Sequence, residues 1–141
     1  KDSVRVNYAF TYGEQVFDDH RNMVSEIEFW CSEGYERIQV HYSTPIYSSA
    51  KEVYPRDRYN VLEAIVNIGS YYNRRIEFIH EWGSQTMFIF GDEMESIINE
   101  MKQHDVMTVQ LEWYEHGRVI NEYDLSGFEN GVEKVRMECM R

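Results

Sequence analysis

Most of the chain is written in a period of two, apolar residue against polar, and that alternation constrains the fold more than any other feature of the sequence. "SVRVNYAF" sets Val4, Val6, Tyr8 and Phe10 against polar neighbours, "MVSEIEFWC" does the same with Met23, Ile27, Phe29 and Cys31, and "ERIQVHY" follows with Ile38, Val40 and Tyr42 after a turn at Gly34. Successive strand side chains point to opposite faces, so these are half-buried strands, expected to form an antiparallel meander. "YNVLEAIVNIG" alternates Leu62, Ala64, Val66 and Ile68 and closes at Gly69, which favours a strand over a short helix. "RIEFIHEW", "QTMFIF", "VMTVQLEWY" and "RVINEYDL" complete the set, the last two joined by "EHG", a glycine-containing hairpin signal. Residues 43–58 hold both prolines and clustered small polar residues, and read as an irregular connection or an edge. "YYNRR" reads as a turn.

The period changes twice. Met94, Ile97, Ile98 and Met101 recur at helical spacing, with Asp92 placed as N-cap and Glu95 three residues on, the order of a capping box. In "YDLSGFENGVEKVRMEC", Ser126 stands as N-cap and Glu129 at N3, while Gly127 keeps the strand-to-helix corner free of a side chain. Phe128, Val132, Val135 and Cys139 then fall on one stripe. The expected fold is therefore α+β: a single domain over residues 1–141, with an antiparallel sheet or sandwich of about eight strands and short helices at about 92–104 and 126–138. A chain of 141 residues that is 43% hydrophobic and 15% aromatic fills an interior of its own, which excludes disorder.

Net charge is −11 and uneven: residues 81–141 carry 13 acids against 5 bases, residues 1–80 carry 12 against 9. Such a surface repels phosphate backbones and anionic lipid, which disfavours direct nucleic-acid or membrane binding. It serves solubility, or it docks on a basic protein, or it copies the charge of a nucleic acid. Apolar runs such as "MFIF" at 87–90 fall far short of the roughly 20 residues of a membrane span. The chain begins at Lys1, as expected either of a removed signal peptide or of a trimmed chain.

Cys31 and Cys139 lack the spacing of a CxxC zinc site. Both lie on apolar stripes, so two readings stand: two buried thiols, or one disulfide between an early strand and the last helix, a closure the chain-entropy model values at roughly 4 to 5 kcal/mol. The disulfide persists only in an oxidising compartment.

No reaction announces itself. "DDH" at 18–20 reads as a solvated turn, and His20, His41, His80, His104 and His116 show neither HxH nor HExxH spacing; they read as surface or satisfied strand residues. Ser126 lacks a GxSxG elbow, no phosphate-cradling glycine loop is present, and neither cysteine stands beside a visible cation. No catalytic residue, metal or cofactor is expected. One basic and aromatic grouping remains, Tyr54, Arg56, Arg58 and Tyr59 with Tyr71, Tyr72, Arg74 and Arg75. Arg and Tyr anchor interfaces, and two neighbouring turns would form a protein-binding patch there; solvated turn residues explain the same letters.

The C-terminal pattern of helix, strand, glycine turn and strand ending in "YDLSGFENGVEKVRMEC" resembles small exported bacterial proteins of the type VI secretion accessory kind, called VasI-like, and related prophage-encoded envelope proteins. In those families a strand closing in a "DLSG"-like corner leads to a short helix ending in Cys, and an earlier strand also carries a Cys. The resemblance covers about the last 50 residues plus the strand of Cys31; the middle, residues 54–75, departs from it. It implies an envelope location and a structural Cys31–Cys139 disulfide, and carries over no catalytic residue. The function expected is that of a non-enzymatic periplasmic or secreted protein-binding module, as a secretion accessory, immunity protein or phage-encoded inhibitor. The alternative is a cytoplasmic acidic inhibitor that mimics nucleic acid and blocks a host nucleic-acid enzyme.

Overall fold

The computed structural model of the protein describes residues 2–9, 11–12, 25–69, 73–114 and 117–139. Its strands are β1 (Asp2–Ala9), β2 (Thr11–Tyr12), β3 (Ser25–Ser32), β4 (Tyr35–Tyr42), β5 (Glu52–Tyr54), β6 (Tyr59–Ile68), β7 (Arg74–Glu81), β8 (Thr86–Ile89), β9 (Val106–Trp113) and β10 (Gly117–Asp124). The helices are α1 (Gly91–Met101), between β8 and β9, and α2 (Phe128–Cys139), after β10. The fold is α+β as expected, with one antiparallel sheet in the order β1-β3-β4-β8-β7-β6-β9-β10-β2 and β5 added to β6. The expected meander is present in β1, β3 and β4. β1 and β2 are neighbours in sequence yet pair at opposite ends of the path, with β3 and with β10. The sheet therefore curls until the N-terminal segment meets both of its ends, which leaves little edge to template aggregation.

Curling is what the alternation demands, because every strand must turn its apolar face to a shared interior. Ile27, Phe29 and Cys31, Ile38, Val40 and Tyr42, Leu62, Ala64 and Val66 are all buried, while Ile68 is only partly so. The antiparallel path puts both helices at one end of the sheet, where β8 finishes and β9 begins. α1 buries Met94, Ile97, Ile98 and Met101, and α2 buries Phe128, Val132 and Val135, the two stripes read from the sequence. Full burial of such side chains contributes up to about 1.5–3 kcal/mol each. Cys139 ends the second stripe and is bonded to Cys31, with the two Cα atoms 6.2 Å apart. Beside that bond, Arg136 forks onto both oxygens of Glu36 at 3.0 Å and reaches Glu95 at 2.9 Å, tying α2 to β4 and α1.

At the other end the sheet splits. β6 pairs β9 only through Ile65–Ile68, and its first residues pair β5 instead, while Ser48 bridges Trp113. Residues 46–54 thus enter as a wedge between β6 and β9, so the stretch read as an irregular connection or edge is both.

Three local expectations are corrected. Asp92 is not an N-cap: α1 opens at Gly91, where φ is +75°, and Phe90 precedes it without a side-chain cap, so no capping box with Glu95 forms. Asp92 and Glu93 instead lie in the first turn, where the helix dipole favours acids. Nor does Ser126 cap α2, which begins two residues later. The Ser126 N–H donates to Asp124 Oδ1 at 2.9 Å, and bonding to Ser126 holds the Asp124 carboxyl below its usual range. Arg74 and Arg75 belong to β7, opposite Val66 and Ile65, and not to a turn. His20, the "DDH" run, Phe10, Met23, Tyr71, Tyr72 and His116 lie outside the described residues.

Two glycines differ instructively. Gly127 has φ +80°, and a Cβ there would meet no atom within 4 Å, so its requirement is purely conformational. Gly69 has φ +78°, and a Cβ would stand 2.4 Å from the His104 ring. Alanine at Gly127 is expected to cost about 1 kcal/mol and alanine at Gly69 about 2–4 kcal/mol, because the second must also displace a ring. Urea midpoints of the two variants check the order; equal losses would remove the steric part of the account.

Candidate functional site

The basic and aromatic residues singled out in the sequence divide between the two ends of β6. Tyr54 stacks on Tyr59 with ring centres 4.7 Å apart, Arg56 is exposed in the turn between them, and Arg58, at φ +57°, lays its guanidinium 5.3 Å from the Trp82 ring. Tyr59 pairs with Glu81, whereas Arg74 pairs with Val66, seven positions along the strand and so roughly 23 Å away. At that end Arg74 is bonded to Glu100 and Arg75 to Glu63 at 3.0 Å. Arg75, with Lys51, holds the Glu63 carboxyl below its usual range. The described members of the group are therefore not brought to one place, and the two on β7 are held in ion pairs.

A second grouping, which the sequence reading passed over, covers the outer face of β3, β4 and β8. The Arg37 guanidinium lies between two rings, 4.7 Å from the centre of Trp30 and 4.6 Å from that of Phe88. Tyr35 meets Trp30 edge-on at 5.9 Å and lies 6.1 Å from Phe90, which stacks on Phe88 at 6.4 Å. Tyr35 and Phe90 are 44% and 48% exposed, so this is an open apolar surface. Arg37 Nε is buried without a hydrogen-bond partner, and among the described residues no carboxylate pairs with Arg37. The face arises from the outward half of the strand alternation: Trp30 and Arg37 are direct partners across β3 and β4, and Gln39 faces Phe88 across β4 and β8.

The third feature is a pocket of about 350 Å³ at the split end of the sheet. The wedge contributes Ile46, Tyr47 and Ser48; Trp82 and Gly83 come from the β7–β8 turn, and Tyr114 follows β9. Asn60 and His80, direct partners across β6 and β7, lie on the inward faces of those strands and reach the pocket from the core side. His80 Nε2 is 2.8 Å from the Ser84 carbonyl oxygen. A carbonyl only accepts, so Nε2 carries a proton, and the tautomer this bond selects leaves Nδ1 as the acceptor. That Nδ1 is buried and has no partner among the described residues. Trp82 Nε1 donates to Asn60 Oδ1 at 2.9 Å, which leaves the Asn60 amide nitrogen as the free donor. Ser48 Oγ is already committed to the Glu112 carbonyl at 2.5 Å.

Among the described residues no cluster of three or more His, Cys, Asp or Glu could hold a metal ion, and no helix is long and apolar enough to cross a membrane. Cys31 and Cys139 are consumed by their own bond. His41 bonds Thr86 Oγ1 at 2.8 Å and His104 packs on Gly69, so the described histidines are dispersed. Fold and surfaces define a disulfide-closed α+β domain with two exposed aromatic regions. Comparison with known proteins adds no relative: no family model, curated protein or solved structure matches the chain.

Proposed function

We propose that the protein is a non-enzymatic, exported binding module that docks on a protein partner through the outer face around Arg37, in the manner of a secretion accessory, an immunity protein or a phage-encoded inhibitor. The observation that carries this reading is an arginine that has no carboxylate partner among the described residues, sandwiched between Trp30 and Phe88 on a chain of net charge −11. Trp, Tyr and Arg dominate interface hot spots, and open apolar patches mark interaction sites. The guanidinium fits a partner carboxylate set among apolar side chains, and the flanking rings exclude water from that pair. The Cys31–Cys139 bond supports the exported setting, since such bonds persist where thiols do not stay reduced. The resemblance of the C-terminal segment to VasI-like envelope proteins points the same way.

The alternative, a cytoplasmic mimic of nucleic acid, asks for free carboxylates on the acidic half of the chain. On the helices, Glu95 is paired with Arg136, Glu100 with Arg74 and Glu133 with Lys102, which leaves less charge to imitate a phosphate row. A photo-crosslinking residue at Tyr35, in native cells quenched with acid and a thiol-blocking reagent, tests the proposal. The expected result is one discrete protein adduct, lost in Arg37→Glu, on a chain with no alkylated cysteine. Reactive thiols in those cells, or the same adduct from a crosslinker at the remote Val53, would sink it.

A further inference from the structure

We propose that the pocket between the wedge and the β7–β8 turn binds a neutral sugar ring bearing an acetamido group. The site is distinct from the face around Arg37 and does not depend on that reading. Three observations carry the assignment. First, none of the described residues lining the pocket is an acid, lysine or arginine, on a chain in which 28% of residues are charged. A ligand there is selected for neutrality. Second, two residues that line the pocket from strand positions directly opposite each other have unused hydrogen-bonding groups: His80 a buried, partnerless Nδ1, and Asn60 its amide nitrogen. A buried acceptor without a partner destabilises the empty protein, and a ligand N–H removes that cost. Third, aromatic side chains frame the opening: Tyr47 and Tyr114 meet edge-on at 6.2 Å and are 68% and 54% exposed, and Trp82 is 40% exposed.

An acetamide satisfies the polar pair in one group. Its N–H donates to His80 Nδ1, its carbonyl accepts from Asn60, and its methyl meets the buried side chain of Ile46, while the flat C–H face of the sugar ring lies on the exposed rings. A lone hydroxyl can likewise donate to His80 and accept from Asn60, but it leaves Ile46 uncovered. A charged sugar would enter without a counter-charge.

The test is titration of the intact disulfide-bonded protein with tri-N-acetylchitotriose, followed by tryptophan fluorescence and by amide chemical shifts of Asn60 and Trp82, with maltotriose and an N-acetylated neutral tripeptide in parallel. Saturable binding of the acetylated saccharide is expected, with the tripeptide and maltotriose at least about tenfold weaker. Asn60→Asp keeps the acceptor that Trp82 needs and removes the donor, so it should weaken binding by about tenfold or more without unfolding the protein. Tyr114→Ala, at an exposed position, should weaken it as well. No saturation at millimolar saccharide, equal binding of maltotriose, tighter binding of the tripeptide, or an unchanged Kd in folded Asn60→Asp would each overturn the assignment.

Discussion

Replacing Cys31 and Cys139 together by alanine is expected to lower the unfolding free energy by about 4 kcal/mol, and the midpoint of thermal unfolding by about 13 °C. The bond joins residues 108 apart, so it closes most of the chain into one loop and removes a large share of the disorder open to the unfolded state. Alanine is the informative replacement: Cys31 is 1% exposed, and serine would bury a hydroxyl there. The folded state should change little. Phe128, Val132 and Val135 stay buried against the sheet, and Arg136 keeps its fork on Glu36 when the sulfurs are gone. Beyond the general acceleration of amides that exchange through global unfolding, new local opening is therefore expected only in the last turn of α2, after Val135. Guanidinium denaturation with native-state hydrogen exchange separates the two effects. A loss below about 1 kcal/mol would mean the unfolded chain is already compact enough that closing it costs little. Release of the whole of α2 would mean that the bond, and not the apolar stripe, holds the helix.

The strands and both helical stripes were legible because burial here follows period: residues two apart along β6 and β7, and those on the stripes of α1 and α2, reach the interior the alternation implies, with Ile68 and Cys139, at the ends of their elements, only partly buried. Local signals failed where tertiary geometry chose among equivalent letters. At Asp92 the sequence offers a good cap, but the chain leaves β8 through a left-handed Gly91, and the helix has already begun. At Ser126 the hydrogen bonding of Asp124 takes the turn, and the helix starts later. The candidate sites were less readable still. The pocket draws on the wedge, two strand ends and two turns, from Ile46 to Tyr114, and only the divergence of β6 from β9 assembles them. His80 carries the alternation of a core strand and differs only in an unmatched ring nitrogen, which no spacing reveals. Trp30 and Arg37 did leave a signal, an aromatic and a cation at outward positions of adjacent strands, and pairing the strands at the Gly34 turn brings them together. The grouping of Tyr54, Arg56, Arg58 and Tyr59 with Arg74 and Arg75 rested on closeness in sequence, which a long strand such as β6 converts into distance.

Stability should fall steeply in alkali, and two tyrosines should account for most of it. Tyr42 and Tyr123 are fully buried, and burial raises both phenol pKa values well above the ordinary one; for Tyr42 the neighbouring Tyr123 adds to the rise, and for Tyr123 the bond to Ser25 at 2.5 Å offsets only part of it. A raised folded-state pKa gives stability that is fully present below the unfolded pKa, near 10 for tyrosine, and is lost as pH climbs toward the folded values. Above that point the unfolded chain binds fewer protons than the folded one, so the slope is negative, about 1.4 kcal/mol per pH unit for each tyrosine. Lys51, raised by its bonds to Glu77 and Glu63, acts in the same direction at the surface. The variants separate the two phenols. The Tyr42 hydroxyl has no partner among the described residues, so Tyr42→Phe should leave stability at neutral pH unchanged or raised, and should halve the alkaline slope. Tyr123→Phe should also halve the slope but costs about 1–3 kcal/mol at neutral pH, because it strands the buried Ser25 hydroxyl. Urea unfolding between about pH 9 and pH 12, with tyrosinate absorbance followed on the same samples, reads both quantities. If the double variant unfolds in alkali as steeply as the parent, the transition belongs to surface charge repulsion, and the buried phenols are spectators.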